Sequence, residues 1–109
     1  MTEEITVYSS SGNVFADLGL PNSHELLIKA ELVHQISELI SEQKLTQAEA
    51  AELLGIDQPK VSALVRGKLS GFSTERLFRF LNALGSNVEI RVVPNSQAIV
   101  PAQTRVVMA

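Results

Sequence analysis

The side chains able to do chemistry fall into three groups. His24 and His34 stand ten residues apart among Glu25, Glu31 and Glu38, all residue types that ligate divalent metals. Ten residues is not a one-face spacing on a helix, and the chain has no cysteine to complete a site, so these side chains read as the solvated face of an acidic helix. Ser9, Ser10 and Ser11 precede Gly12 and Asn13 without the strand-turn-helix setting or the positioned base that a serine nucleophile requires. The sequence thus offers no catalytic residue, no metal ligand set and no cofactor site. The third group is Gln58, Lys60, Arg66 and Lys68, one amide and three cations close together, which suits base edges and phosphates rather than bond making.

Taken over the whole chain, the formal net charge of −3 opposes an anionic partner. Counted by region it does not. Residues 1–42 hold seven acids and a single base, Lys29, whereas residues 43–79 hold six bases and four acids. Exposed charges are screened beyond about 10 Å in salt, so the basic middle is what a ligand there would meet.

A chain of 109 residues supports one domain with a modest core. At 45% hydrophobic and 19% charged it has the balance of a folded protein. Glu3 and Glu4 stand where a signal peptide carries bases, no apolar run reaches the length of a membrane span, and the lack of cysteine fits a reducing compartment. A cytoplasmic location and no membrane contact are the expectation.

The elements that must carry the third group follow from periodicity and capping. Residues 5–9 suggest a short strand and residues 14–18 one helical turn, stopped by Gly19 and Pro21. Asn22 is the expected N-cap of a first helix over about 23–43, with Glu25 as its reciprocal partner and Leu32, Val33, Ile36, Leu39 and Ile40 as its apolar stripe. That stripe lasts under three heptads, so it reads as core rather than as a coiled-coil seam. Thr46 and Glu49 form the capping-box pattern of a second helix, which Gly55 ends. Asp57 caps a third helix that accepts Pro59 in its first turn, and Gly67 ends it. Ser73 caps a fourth helix with Leu77, Phe78, Leu81 and Leu84 as its buried set, closed by Gly85. Residues 87–93 alternate, with Val88, Ile90 and Val92 on one face and Glu89 and Arg91 on the other, which predicts one strand ended by Pro94. The fold class expected is all-α, a bundle of four main helices with one added C-terminal β-strand. Residues 1–21 are an N-terminal arm, 22–93 the domain, and 94–109 a loosely ordered tail.

Two short helices joined through a glycine and flanked by longer ones make a helix-turn-helix. On the third helix, Val61, Leu64 and Val65 define the buried direction, leaving Pro59, Ser62, Ala63 and Arg66 opposite, Lys60 at the flank and Gln58 at the start. The N-terminal part of a recognition helix enters the major groove, where the Gln58 amide can bond an adenine edge twice and Arg66 can reach guanine or phosphate. Thr46, Gln47, Lys60, Lys68 and Ser70, at helix starts and in the following loop, are the expected phosphate contacts. A purely structural helix-turn-helix would need the caps Thr46 and Asp57 equally, and a solvated face would carry the same bases.

The stretch TQAEAAELLGIDQPKVSALVRGK, residues 46–68, resembles the Xre and phage-repressor class of helix-turn-helix proteins. In it Gln47 opens the first helix, small Ala51 permits close approach, Gly55 makes the turn, and Val61 and Leu64 anchor the second helix. NVFADLGLP at 13–21 and FSTERLFRFLNALGSNVEIRV at 72–92 extend the resemblance to small Xre proteins related to the HigA antitoxins. The resemblance implies a lambda-repressor-like bundle, base contact from the start of the second of these helices, and transcriptional repression. It also implies an antitoxin that regulates its own promoter and neutralises a toxin of the HigB and RelE kind, with a stand-alone regulator as the alternative. Pro59 departs from the polar residue more common there, which leaves fewer hydrogen-bonding side chains for direct readout. The expected partners are double-stranded DNA, a toxin protein and a second copy, the strand of Val88, Ile90 and Val92 pairing with residues 5–9, with the tail, or across a dimer interface with the second copy. A competing class is a protein-interaction module that works through the acidic first helix without touching DNA.

Overall fold

The computed structural model of the chain describes residues 18–19, 22–96 and 99–108. The strand expected over 5–9 and all but the end of the helical turn expected over 14–18 lie outside these. Among the described residues there are four helices: α1 (Ser23–Glu42), α2 (Gln47–Leu54), α3 (Gln58–Val65) and α4 (Thr74–Ala83). The long α1 packs against α4 and α3, and α2 packs against α3 and α4, so each short helix rests on the other and on one of the two longer ones.

The core draws on every helix. From α1 come Leu32, Val33, Ile36 and Ile40, at the spacing of one helical face, with Leu39 at its edge and only half-buried. The start of α1 differs from the expected capping box. Asn22 adopts a left-handed backbone (φ 57°) with no side-chain cap bond, and its carbonyl accepts from the Leu26 N–H at 3.0 Å. A capping side chain reaches back over the first turn only from an extended backbone, which Asn22 does not have. Glu25 instead pairs with Lys29 one turn on, at 3.4 Å. At the other end Lys44 is left-handed (φ 57°), its N–H donating to Ser41 O at 3.0 Å and the Leu45 N–H to Ile40 O at 3.1 Å, the double bond of a Schellman close. The Gln43 amide donates to Leu84 O at 2.7 Å and so ties the end of α1 to the end of α4.

In α4 the Ser73 hydroxyl accepts from the Arg76 N–H at 3.2 Å, as the cap expected of it. Its buried set is Leu77, Phe80, Leu81 and Leu84, in which Phe80 takes the place expected of Phe78. Phe78 lies about 110° of helical rotation from the centre of that set, so it sits half-buried on the shoulder while Phe80 points inward.

The added C-terminal strand does not form. Residues 87–93 carry no ladder among the described residues, with Ile90 75% and Val92 93% exposed, while Val88 alone turns in against the core. Alternation marks a segment able to pair; pairing also needs a second backbone alongside. The tail beyond Pro94 has no helix or strand among its described residues, yet it returns to the body. The Asn95 amide donates to Val100 O at 2.7 Å, Ala102, Gln103 and Thr104 border a cleft with His24, Glu25, Ile28 and Thr74, and Val106 packs on the core.

Partial burial on α1 pushes the Glu31 carboxyl above its ordinary value. A group raised in the folded state favours folding below its unfolded pKa, and that advantage is lost as pH rises through the folded one. At neutral pH the Glu31 charge therefore opposes folding. Glu31→Gln should be more stable than wild type in urea denaturation at pH 7, and the difference should vanish as the pH falls below the usual carboxylate range.

Candidate nucleic-acid interface

The turn between α2 and α3 is three residues long, Gly55, Ile56 and Asp57, and each has a separate task. Gly55 takes a left-handed backbone (φ 73°), with its own N–H at 2.9 Å and that of Ile56 at 3.1 Å from Ala51 O. Ile56 tucks half-buried against the core. The Asp57 carboxylate accepts from the Lys60 N–H at 2.9 Å and fixes the first turn of α3. These three choices set where α3 begins, and hence where Gln58 points.

Fully buried Val61 and Leu64 hold α3 down, and Val65 is half-buried beside them. Ala50 and Ala51 are the buried residues of α2 that face this packing, together with Leu54. Ala50 was not singled out by the sequence pattern; the run of alanines hid which of them faced inward. Gln58, Pro59, Lys60 and Arg66 are exposed, whereas Ser62 and Ala63, expected on the outer face with them, are half-buried. Eight residues of helix span about 12 Å, so Gln58 and Arg66 at its two ends cannot address the same base pair. Arg66 borders a cleft with Ala30, His34 and Ser37 of α1, away from the helix start.

At the start of α2 the capping box is complete: the Thr46 hydroxyl accepts from the Glu49 N–H at 3.1 Å, and the Glu49 carboxylate accepts from the Thr46 N–H at 2.8 Å. The Thr46 N–H is therefore engaged, and Glu49 places a negative charge at the helix end where a phosphate would sit. Exposed Gln47 and the Thr46 hydroxyl hydrogen remain to donate.

Lys68 and Ser70 lie exposed in the loop between α3 and α4, directly after the α3 close, in which the Lys68 N–H donates to Ala63 O at 3.0 Å. That loop is clamped by a residue that the sequence reading missed. The Arg76 guanidinium lies 5.3 Å from the Phe72 ring centroid and 5.6 Å from that of Phe80, and donates to Gly71 O at 3.3 Å. The two rings meet edge to face at 5.9 Å. The signal was legible in principle, since Phe72, Arg76 and Phe80 follow one another at helical spacing.

Both histidines lie on α1. His24 borders the cleft under the tail, and His34 lies 3.8 Å from Glu38, both exposed. Among the described residues no group of three or more His, Cys, Asp or Glu is placed to hold a metal, and no helix is long and apolar enough to cross a membrane.

Residues 14–93 match the family model described as a helix-turn-helix domain. A solved structure assigned provisionally as an XRE family transcriptional regulator is similar at 44% sequence identity and a TM-score of 0.77, covering 82% of this chain and 100% of that one. No curated protein matches.

The turn geometry makes a specific demand. A Cβ on Gly55 would meet nothing within 4 Å, so Gly55→Ala isolates the cost of the left-handed backbone, about 1–2 kcal/mol. Chemical denaturation should show that loss, and Gly55→Asn should recover part of it because asparagine tolerates the conformation better.

Proposed function

The chain belongs to the helix-turn-helix domain family, and from that premise we propose that it is an Xre-type transcriptional regulator that binds operator DNA through α3 and represses its own promoter without any catalytic step. One observation carries the reading: α3 is anchored by two fully buried residues while Gln58 at its start, Lys60 on its flank and Arg66 at its C-cap are exposed. In this reading the start of α3 enters the major groove and Gln58 bonds a base edge. Pro59, Ser62 and Ala63 add contact area, and Thr46, Gln47, Lys60, Lys68 and Ser70 meet the phosphates on either side. Arg66, at the far end of the helix beside Lys68, serves as a phosphate contact. Two copies bind two half-sites, as operators with two-fold symmetry require.

Exposed Ile99 and Val107 in the tail favour a second, protein partner. With the sequence resemblance to the HigA antitoxins, this supports a toxin of the HigB and RelE kind as that partner. Co-expression with a neighbouring toxin-like reading frame should retain that protein on the tagged chain, and removing the tail from residue 99 onward should abolish retention; retention of nothing by the full chain returns the stand-alone regulator.

Base readout and phosphate contact separate by mutation and salt. Gln58→Ala should weaken binding to the cognate operator by about 1–3 kcal/mol and leave binding to scrambled DNA nearly unchanged. Lys68→Ala should weaken both alike and reduce the salt slope by about one counterion. Fluorescence anisotropy of both variants on cognate and scrambled duplexes at several salt concentrations measures this. Equal loss on both duplexes for Gln58→Ala would show that α3 does not read bases there.

A further inference from the structure

We propose that residues 87–93 pair with the same residues of a second copy as an antiparallel ribbon centred on Ile90, so that Glu89 of each copy lies opposite Arg91 of the other. The proposal deepens the homodimer reading above and rests on it, adding the segment, the direction and the register.

The limits of the segment come from its ends. The Ser86 N–H already donates to Leu81 O at 2.9 Å, and the Ser86 carbonyl accepts from the Asn82 amide at 2.9 Å, so the backbone before residue 87 is committed to closing α4. Pro94 has no N–H to donate, so a ladder cannot continue past Val93. Seven residues lie between these two stops, and their midpoint is Ile90.

Charge selects the same register independently. Antiparallel pairing about Ile90 sets Val88 opposite Val92 and Glu89 opposite Arg91, each twice by symmetry. Moving the centre to Glu89 or to Arg91 puts like charges face to face, and a parallel, in-register pair does so at both positions. Shifts that place an apolar residue opposite a charged one mix the two faces of the ribbon. Only the Ile90-centred pair combines opposite charges with a wholly apolar face.

That face has somewhere to lie. A two-stranded ribbon is marginal in water by itself. Val88 already packs on the core of its own copy, while Ile90 and Val92 on the same face are left 75% and 93% exposed. Pairing brings the partner's Val92 beside Val88 and extends the core's apolar surface across the two-fold axis.

Glu89 and Arg91 are exposed, so exchanging their charges should not disturb the folded body, which circular dichroism of each variant checks. The full chain, free of DNA, should sediment as a dimer. Glu89→Arg alone and Arg91→Glu alone each set like charges across both pairs and should raise the dimer dissociation constant at least tenfold. Mixed in equal amounts, the two variants should recover a heterodimer by native mass spectrometry, since each then offers the charge that the other lacks. A monomeric wild type, single variants as dimeric as wild type, or a mixture without heterodimer would each overturn the ribbon. Because no DNA is present, none of these results bears on base reading by Gln58, which the operator titrations measure separately.

Discussion

Two turns of helix do not persist in water by themselves, because the cost of nucleating a helix is recovered only over a longer run of hydrogen bonds. Both α2 and α3 have eight residues, so their existence depends on what they are packed against. The decisive contact is the insertion of Val61 and Leu64 between α1 and α2, where both are fully buried. Without it α3 would have neither a stable start nor a fixed direction, and the side chains on its outer face would have no common orientation. The small residues Ala50 and Ala51 contribute by their lack of bulk, which lets the two short helices approach closely enough for that insertion.

The acidic residues near the interface act locally. Glu49 and Asp57 both accept backbone N–H groups in the first turns of α2 and α3, where a negative charge also favours the helix dipole. Their charge is thereby placed at the helix ends, while Lys60, Arg66 and Lys68 extend outward from the helix side and the following loop. The closure of α4 uses up the backbone groups of Ser86. The segment that follows forms no ladder among the described residues, and its Val88 packs on the core.

Much of the framework of the candidate interface was legible in the sequence because its determinants are local. A capping box needs four residues, the left-handed turn needs one glycine, and the buried direction of α3 needs only the spacing of Val61, Leu64 and Val65. Thr46, Asp57 and Ser73 all cap the helices that they announce. Arg76 was less accessible, since its role depends on two rings and a carbonyl from the loop before α4 converging on one guanidinium. Sequence spacing shows that such groups can meet, but does not show that they do.

What the sequence determined by itself is the number and order of the central helices, the turn between α2 and α3, and the buried anchors Val61 and Leu64 of α3, because each follows from interactions within a few residues. What only the tertiary structure decided depends on neighbours distant in the chain. Asn22 matches the capping pattern, yet its backbone is left-handed and leaves the role unfilled. Phe80 rather than Phe78 enters the core because the packing of α1 and α2 fixes which direction of α4 is inside. The alternation of residues 87–93 states that a strand can form, and no residue within the segment can supply the second backbone that would make it one.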